Sequence, residues 1–248
     1  MIKIRNLVIR LGSKDILKNI NLDVEKGETL VVMGLSGVGK STLLKAITGL
    51  LRPFSGDIYI EGKNVTNLSG KELDRVRRKV GMVFQSPALF DSLNVGDNVA
   101  FGLREFATHM KEEEIQQVVG EMLSIVDLEG KSHLMPAQLS GGMQKRASLA
   151  RTIAIKPEVI LYDEPTTGLD PIMSNVISGL INDLKKRLSA TSVVVTHDLE
   201  SAYQVGDKIA MLYNGKIVAC GTKDEFIKSK DPVVQQFIHG SIKGPIKV

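Results

Sequence analysis

The chain has 248 residues, 43% hydrophobic and 24% charged, with a formal net charge of +4, one cysteine and no tryptophan. This is the composition of an ordinary globular protein, long enough for one large α/β domain or a core with an inserted subdomain. A single cysteine, Cys220, excludes a disulfide or a multi-cysteine metal site within the chain and suits a reducing compartment. Lys and Arg are scattered among acidic residues with no aromatic platform between them, so no nucleic-acid partner is expected.

Taken in order, residues 2–10 and 16–24 read as two strands with polar residues 12–15 as their turn. Residues 29–33, Thr-Leu-Val-Val-Met, form a short continuous apolar run, the pattern of a strand buried on both faces. A glycine-rich stretch follows, then a helix over 40–50 with Leu43, Leu44 and Ile47 on one side. Residues 57–60 and 80–84 are further strands, separated by a charged helix near 71–79. Residues 95–106, 112–126 and 141–155 read as helices with no strand among them. Strand character returns at 159–162, 192–196 and 209–213, with a helix over 172–188. Asn214-Gly215 marks a tight hairpin into 217–220, and a short helical tail ends the chain. The expected fold is α/β: a mainly parallel core sheet (1–85 and 157–230), an antiparallel N-terminal β-part, an inserted helical part (86–156) and a tail (231–248). The amino terminus lacks the apolar block of a signal peptide. Apolar runs such as 30–33 and 193–195 fall far short of the roughly 20 residues a membrane helix needs. The chain is therefore expected to sit beside a membrane without crossing it.

Gly34-Leu35-Ser36-Gly37-Val38-Gly39-Lys40-Ser41 fits the phosphate-loop pattern of two glycines with four residues between them, followed by Lys and Ser/Thr. Glycines let the backbone curl so that N–H groups point at phosphate oxygens. The helix opening at Lys40, with Ser41 and Thr42 in its first turn, adds its positive end. Lys40 can reach the outer phosphates of ATP and the Ser41 hydroxyl can bind Mg²⁺. The strand over 159–162 runs into Asp163-Glu164, and ligands of open parallel sheets gather at the carboxyl ends of strands. If this strand neighbours the one ending in the phosphate loop, Asp163 holds Mg²⁺ and Glu164 orients or deprotonates the attacking water.

Leu139-Ser140-Gly141-Gly142-Met143-Gln-Lys-Arg146 precedes a helix and lies between the phosphate loop and Asp163-Glu164. This stretch resembles the signature motif of the ATP-binding cassette (ABC) ATPases. The resemblance implies that Ser140, Gly141 and Gly142 touch the γ-phosphate of ATP held by the opposite protomer of a homodimer. It further implies that Gln85 senses Mg²⁺ and the attacking water, that Asp170 in Gly168-Leu169-Asp170 crosses the dimer seam, and that His197 contacts the γ-phosphate. Six landmarks in order over about residues 1–230 carry this likeness. Two departures stand out. Leu11 occupies the place where many members stack adenine on an aromatic ring, and Met143 stands where the signature usually has Gln.

Residues 84–105, 134–143, 236–240 and 244–245 are similar to the ATPases of Mla-type phospholipid transporters. That likeness implies a peripheral subunit on the cytoplasmic face of the bacterial inner membrane, coupled to an integral membrane permease and a lipid-binding MCE-domain protein. Some such systems add a small soluble cytoplasmic subunit. The segment after Gln85, with Phe90, Val95, Val99 and Phe101, is expected to be mostly core but to line a groove for a permease helix. Two readings of the tail stay open: it reaches across to the other protomer, or it caps its own domain. Alternatives are an importer of a small solute such as an amino acid, methionine or glycine betaine, and a non-transport ABC ATPase of DNA repair or translation. The latter typically inserts a long coiled coil or fuses two cassettes, and neither is present in this sequence.

Overall fold

Apolar runs without polar alternation need cover on both faces, and the arrangement of this chain supplies it. The computed structural model describes residues 1–107 and 109–247. In chain order the elements are β1 (Ile2–Leu11), β2 (Lys14–Val24), β3 (Thr29–Met33), α1 (Lys40–Ile47), β4 (Ser55–Ile60), β5 (Lys63–Asn64) and α2 (Gly70–Arg77). Then come β6 (Val80–Val83), α3 (Val95–Phe106), α4 (Glu112–Ile125), a 3-10 turn (Pro136–Gln138), α5 (Gly141–Ile153), β7 (Val159–Asp163) and α6 (Pro171–Leu188). The last are β8 (Thr191–Thr196), α7 (Leu199–Val205), β9 (Lys208–Tyr213), β10 (Lys216–Thr222), α8 (Lys223–Ile227) and α9 (Pro232–His239).

The six-stranded sheet has the order β10-β9-β3-β8-β7-β6 and is parallel except for β10. A four-stranded antiparallel sheet, β2-β1-β4-β5, lies over one of its faces. Strand alternation explains the two cores. Leu30, Val32, Leu161 and Val195 pack with α1 and the antiparallel sheet, while Val31, Met33, Tyr162 and Val194 pack with the helices beyond the other face. Both sets are fully or almost fully buried.

Several expectations need adjustment. The first hairpin is tighter than expected, because Leu11 already pairs with Lys14 and only Gly12 and Ser13 remain for the turn. Helix α1 stops at Ile47 rather than running to 50, since Gly49 takes φ 68° and the N–H groups of Leu50 and Leu51 turn back to the Lys45 carbonyl. β3 and β7 are not neighbours: β8 lies between them. Short β5, α7 and α8 had no periodic signal long enough to be read. At Asn214-Gly215 both residues have positive φ, 49° and 77°, as a type I′ hairpin requires.

Residues 86–156 carry α3, α4, the 3-10 turn and α5, with no strand among the described residues. After α9 the chain turns back on its own domain. Gln236 is buried; its amide nitrogen donates to the carbonyls of Ser241 and Ile246, and its oxygen accepts from the Ile246 N–H. The Tyr213 hydroxyl donates to the Pro245 carbonyl at 2.7 Å. Among the described residues, no helix is long and apolar enough to cross a membrane.

Candidate active site

The phosphate-loop pattern falls between β3 and α1. Its glycines are required by shape at two points. A Cβ on Gly34 would lie 2.5 Å from the Leu212 carbonyl oxygen, and Gly39 has φ 112° with Ile16 and Leu17 close by. The loop curls around the Lys40 side chain, whose ammonium donates to the carbonyls of Gly34 (2.8 Å) and Leu35 (3.0 Å). The same ammonium lies 3.0 Å from Glu164 Oε1, in a pair where both side chains are under 10% exposed.

Glu164 is thereby held at both oxygens. Its Oε2 faces His197 Nδ1 at 2.9 Å and accepts from the Thr167 hydroxyl at 3.2 Å. A carboxylate only accepts, so this contact places the imidazole proton on Nδ1. The Glu164 N–H donates to the Val195 carbonyl at 2.9 Å, which ties the exit of β7 to β8. Asp163, the last residue of β7, accepts from the Ser41 hydroxyl at 2.7 Å. This contact forms even though β8 separates β7 from β3, because α1 crosses the sheet to reach both β7 and β8. Burial raises the Asp163 carboxyl above its ordinary pKa; the Ser41 hydrogen bond opposes that shift and Glu164 adds to it.

A cavity of about 370 Å³ opens here, lined by Ser36, Gly37, Gly39, Lys40, Ser41, Thr42, Gln85, Glu164, Thr167 and His197. Four chain segments distant in sequence thus meet at the carboxyl ends of the parallel strands β3, β6, β7 and β8. Leu35 and Val38 face a second cavity beside it, of about 540 Å³, which Tyr213, Asn214, Pro245 and Lys247 also line.

Other expected site residues lie away from the 370 Å³ cavity. Leu11 is half exposed on the antiparallel sheet and does not line it. Ser140 caps α5 by accepting from the Met143 N–H at 3.3 Å, and Gly141 has open space where a side chain would be. A Cβ on Gly142 would meet Met173 at 2.7 Å. Asp170 caps α6 by accepting from the Met173 N–H at 3.0 Å. None of Ser140, Gly141, Gly142 and Asp170 lines the cavity of their own chain.

Sequence reasoning missed several residues that hold these loops. Thr167 follows Glu164 by three residues with nothing to mark it. Lys145 and Arg151 carry no local mark of their role, yet both cations donate to loop carbonyls: Lys145 to Pro165 and Thr167, Arg151 to Pro87 and Ala88. Asn98 is fully buried, accepts from the Phe90 N–H, and donates to the carbonyls of Phe90, Leu93 and Asn94. An Asn at a buried helix position was the only available signal for it. Val95 and Val99 are core, while Phe84, Phe90 and Phe101 are partly exposed, with the Phe90 and Phe101 rings 4.6 Å apart.

Residues 17–167 match the ABC transporter family. The whole chain is also 44% identical, over 247 residues, to the intermembrane phospholipid transport system ATP-binding protein MlaF of Haemophilus influenzae, covering 93% of that protein. The chain belongs to the ABC transporter family. As a member it binds ATP and is an ATPase. It is likewise 43% identical to the probable ribonucleotide transport ATP-binding protein mkl of Mycobacterium leprae, over 99% of this chain and 70% of that one. Among solved structures it resembles the ATP-binding cassette MJ0796 in a dimeric post-hydrolysis state bound to ADP and Pi. The TM-score is 0.82 at 36% identity, over 90% of this chain and 98% of that one.

Proposed function

We propose that this chain is the ATP-hydrolysing subunit of a transporter that moves phospholipid between bacterial inner and outer membranes. The carrying observation is the 44% identity to MlaF, which spans this chain from end to end. In this reading the core is residues 1–85 and 157–230, the helical part 86–156 and the tail 231–248.

The site chemistry follows from the contacts described. Lys40 is paired with Glu164; a bound triphosphate would offer Lys40 a more highly charged partner and free the carboxylate toward water. Glu164 then takes the water proton, held in aim by Thr167 and His197. Backbone N–H groups of residues 36–42 and the α1 dipole carry the phosphate charge. The donor set suits Mg²⁺: the Ser41 hydroxyl and Asp163 carboxylate lie 2.7 Å apart, and the Gln85 amide is on the same cavity wall. These are hard oxygen ligands, few enough to leave room for water and phosphate. When bound, the ion neutralises charge on the outer phosphates.

Ser140, Gly141, Gly142 and Asp170 stand outside their own cavity, so a second protomer is needed to bring such groups to the nucleotide. A homodimer with two-fold symmetry completes two sites at once, and the dimeric state of MJ0796 supports that reading. The partly exposed Phe84, Phe90 and Phe101 suit docking of an integral permease at the inner-membrane face. An MCE-domain lipid-binding protein, and a small soluble subunit, would complete the assembly.

The relatives named for ribonucleotide transport favour a second reading, in which a nucleotide or other solute is the cargo. Affinity purification from native membranes in mild detergent, with mass spectrometry of proteins and lipids, separates the two. Recovery of a permease, an MCE-domain protein and phospholipid is the expected result. A permease with a solute-binding protein and no enriched lipid would overturn the lipid reading.

A further inference from the structure

We propose that Lys145 is a positioning residue that fastens the start of α5 to the loop leaving Glu164, so that the helix end presented to a partner's nucleotide moves with the chain's own hydrolytic loop. This rests on the reading above, in which Glu164 activates water and residues 140–142 act across the dimer.

The first observation is what the cation does. Its ammonium donates to the carbonyls of Pro165 at 2.9 Å and Thr167 at 2.7 Å, and no carboxylate pairs with it among the described residues. Half-buried, it gives up water for two neutral oxygens, and burial pushes its pKa down while Glu164 opposes the shift. The surroundings are apolar: Lys145 borders a small cavity with Phe84, Leu149, Tyr162, Ile177 and Ile181. An apolar side chain would fill that space at a lower desolvation cost. Packing therefore does not account for a lysine here, whereas gripping the loop does.

The second observation is where the grip leads. Thr167 gives its carbonyl to Lys145 and its hydroxyl to Glu164 Oε2, so one residue touches both the helix clamp and the carboxylate. Further along the same loop, Asp170 caps α6 at Met173, and Met173 leaves no room for a Cβ on Gly142. Residues 165–173 are thus attached to α5 at two points, one turn apart on the helix. When Lys40 leaves Glu164 for a phosphate, the carboxylate, Thr167 and α5 shift as one body. Without the Lys145 contacts, the start of α5 keeps only the Gly142–Met173 contact with residues 165–173, and the two no longer move together.

The test uses the full chain as purified, comparing Lys145→Met, Lys145→Gln and Lys145→Arg with Glu164→Gln as control. Steady-state ATPase assays give kcat, KM and the Hill coefficient, and thermal melts report folding. For Lys145→Met, kcat falls roughly tenfold, the loss of a charged hydrogen-bonded contact, with KM within about twofold. The Hill coefficient drops from about two toward about one, because each site no longer senses the other. Lys145→Gln, which keeps one amide donor, lies between Met and wild type, and Lys145→Arg recovers most of the coupling. Wild-type kcat and Hill coefficient in Lys145→Met would overturn the proposal. So would a loss in Arg and Gln as deep as in Met, tracking a lowered Tm in all three. If Met does not fold, the Gln and Arg variants decide by the same Hill criterion. Normal turnover in Glu164→Gln would instead strike the underlying assignment of the base, a result independent of the order Met, Gln, Arg.

Discussion

At Glu164 the backbone takes φ 47°, a left-handed conformation that costs a residue with a side chain about 1–3 kcal/mol. The hydrogen bond from its N–H to Val195 and the contacts with Lys40, His197 and Thr167 hold it there. Its neighbour Asp163 bears a different load, a carboxyl whose pKa burial has raised. A raised carboxyl binds its proton more tightly folded than unfolded. Its contribution therefore favours the fold below the ordinary carboxylate range and is lost as pH rises through the raised value. At neutral pH, without nucleotide or Mg²⁺, Asp163→Asn should melt at a higher temperature than wild type, and the gap should narrow as pH falls toward 4. Differential scanning calorimetry across that range checks both statements; on the proposed role of Asp163 as a Mg²⁺ ligand, ATPase activity should fall at least roughly a hundredfold in the same variant.

Among the elements, α9 and the segment after it show how one polar side chain can organise a tail. Asp231 caps α9 by accepting from the N–H groups of Val233 and Val234, and Gly240 ends it with φ 59°. Gln236 then makes three hydrogen bonds to Ser241 and Ile246, and Ile246 packs into the core at 5% exposure. The described tail thus caps its own domain. Gln236→Leu leaves the Ile246 N–H and carbonyl without partners inside the protein, a loss of about 1–3 kcal/mol. The urea midpoint should drop accordingly, and proteolysis within residues 240–247 should become faster. An unchanged midpoint with unchanged protection would mean that Ile246 and the Tyr213–Pro245 contact hold the segment alone.

For the whole molecule, residues 140–142 and 170 do not line the 370 Å³ cavity, and on the proposed reading association is the step that assembles the site. Glu164→Gln should bind Mg-ATP and accumulate as a dimer, because hydrolysis falls by roughly 10²–10⁴-fold while the phosphate contacts persist. Size-exclusion chromatography with light scattering would show the ATP-dependent dimer. At a hundredfold excess of ATP over its Kd, binding adds about 2.7 kcal/mol, or roughly 5–10 °C in Tm for a chain of this size. A variant that stays monomeric with saturating ATP would contradict the shared-site reading.

Much of this was legible along the chain. Residues 34–41 carry the loop chemistry locally, since glycine spacing and a helix start are properties of neighbours in sequence, and β3 and α3 fall where their patterns place them. Asp163-Glu164 could be recognised by type and by its strand end. What the sequence lacked was strand order: an apolar strand buried on both faces reads the same wherever it lies in a parallel sheet, so β8 between β3 and β7 could not be foreseen. Nor could the grip of Lys145 and Arg151 on distant loop carbonyls, because a backbone oxygen has no residue type and leaves no mark in the sequence. Local pattern determined which elements and which chemistry this chain has. Tertiary structure decided which carbonyls, carboxylates and cations meet, since those meetings depend on non-local packing around a sheet whose edges and order are set only when the whole chain has folded.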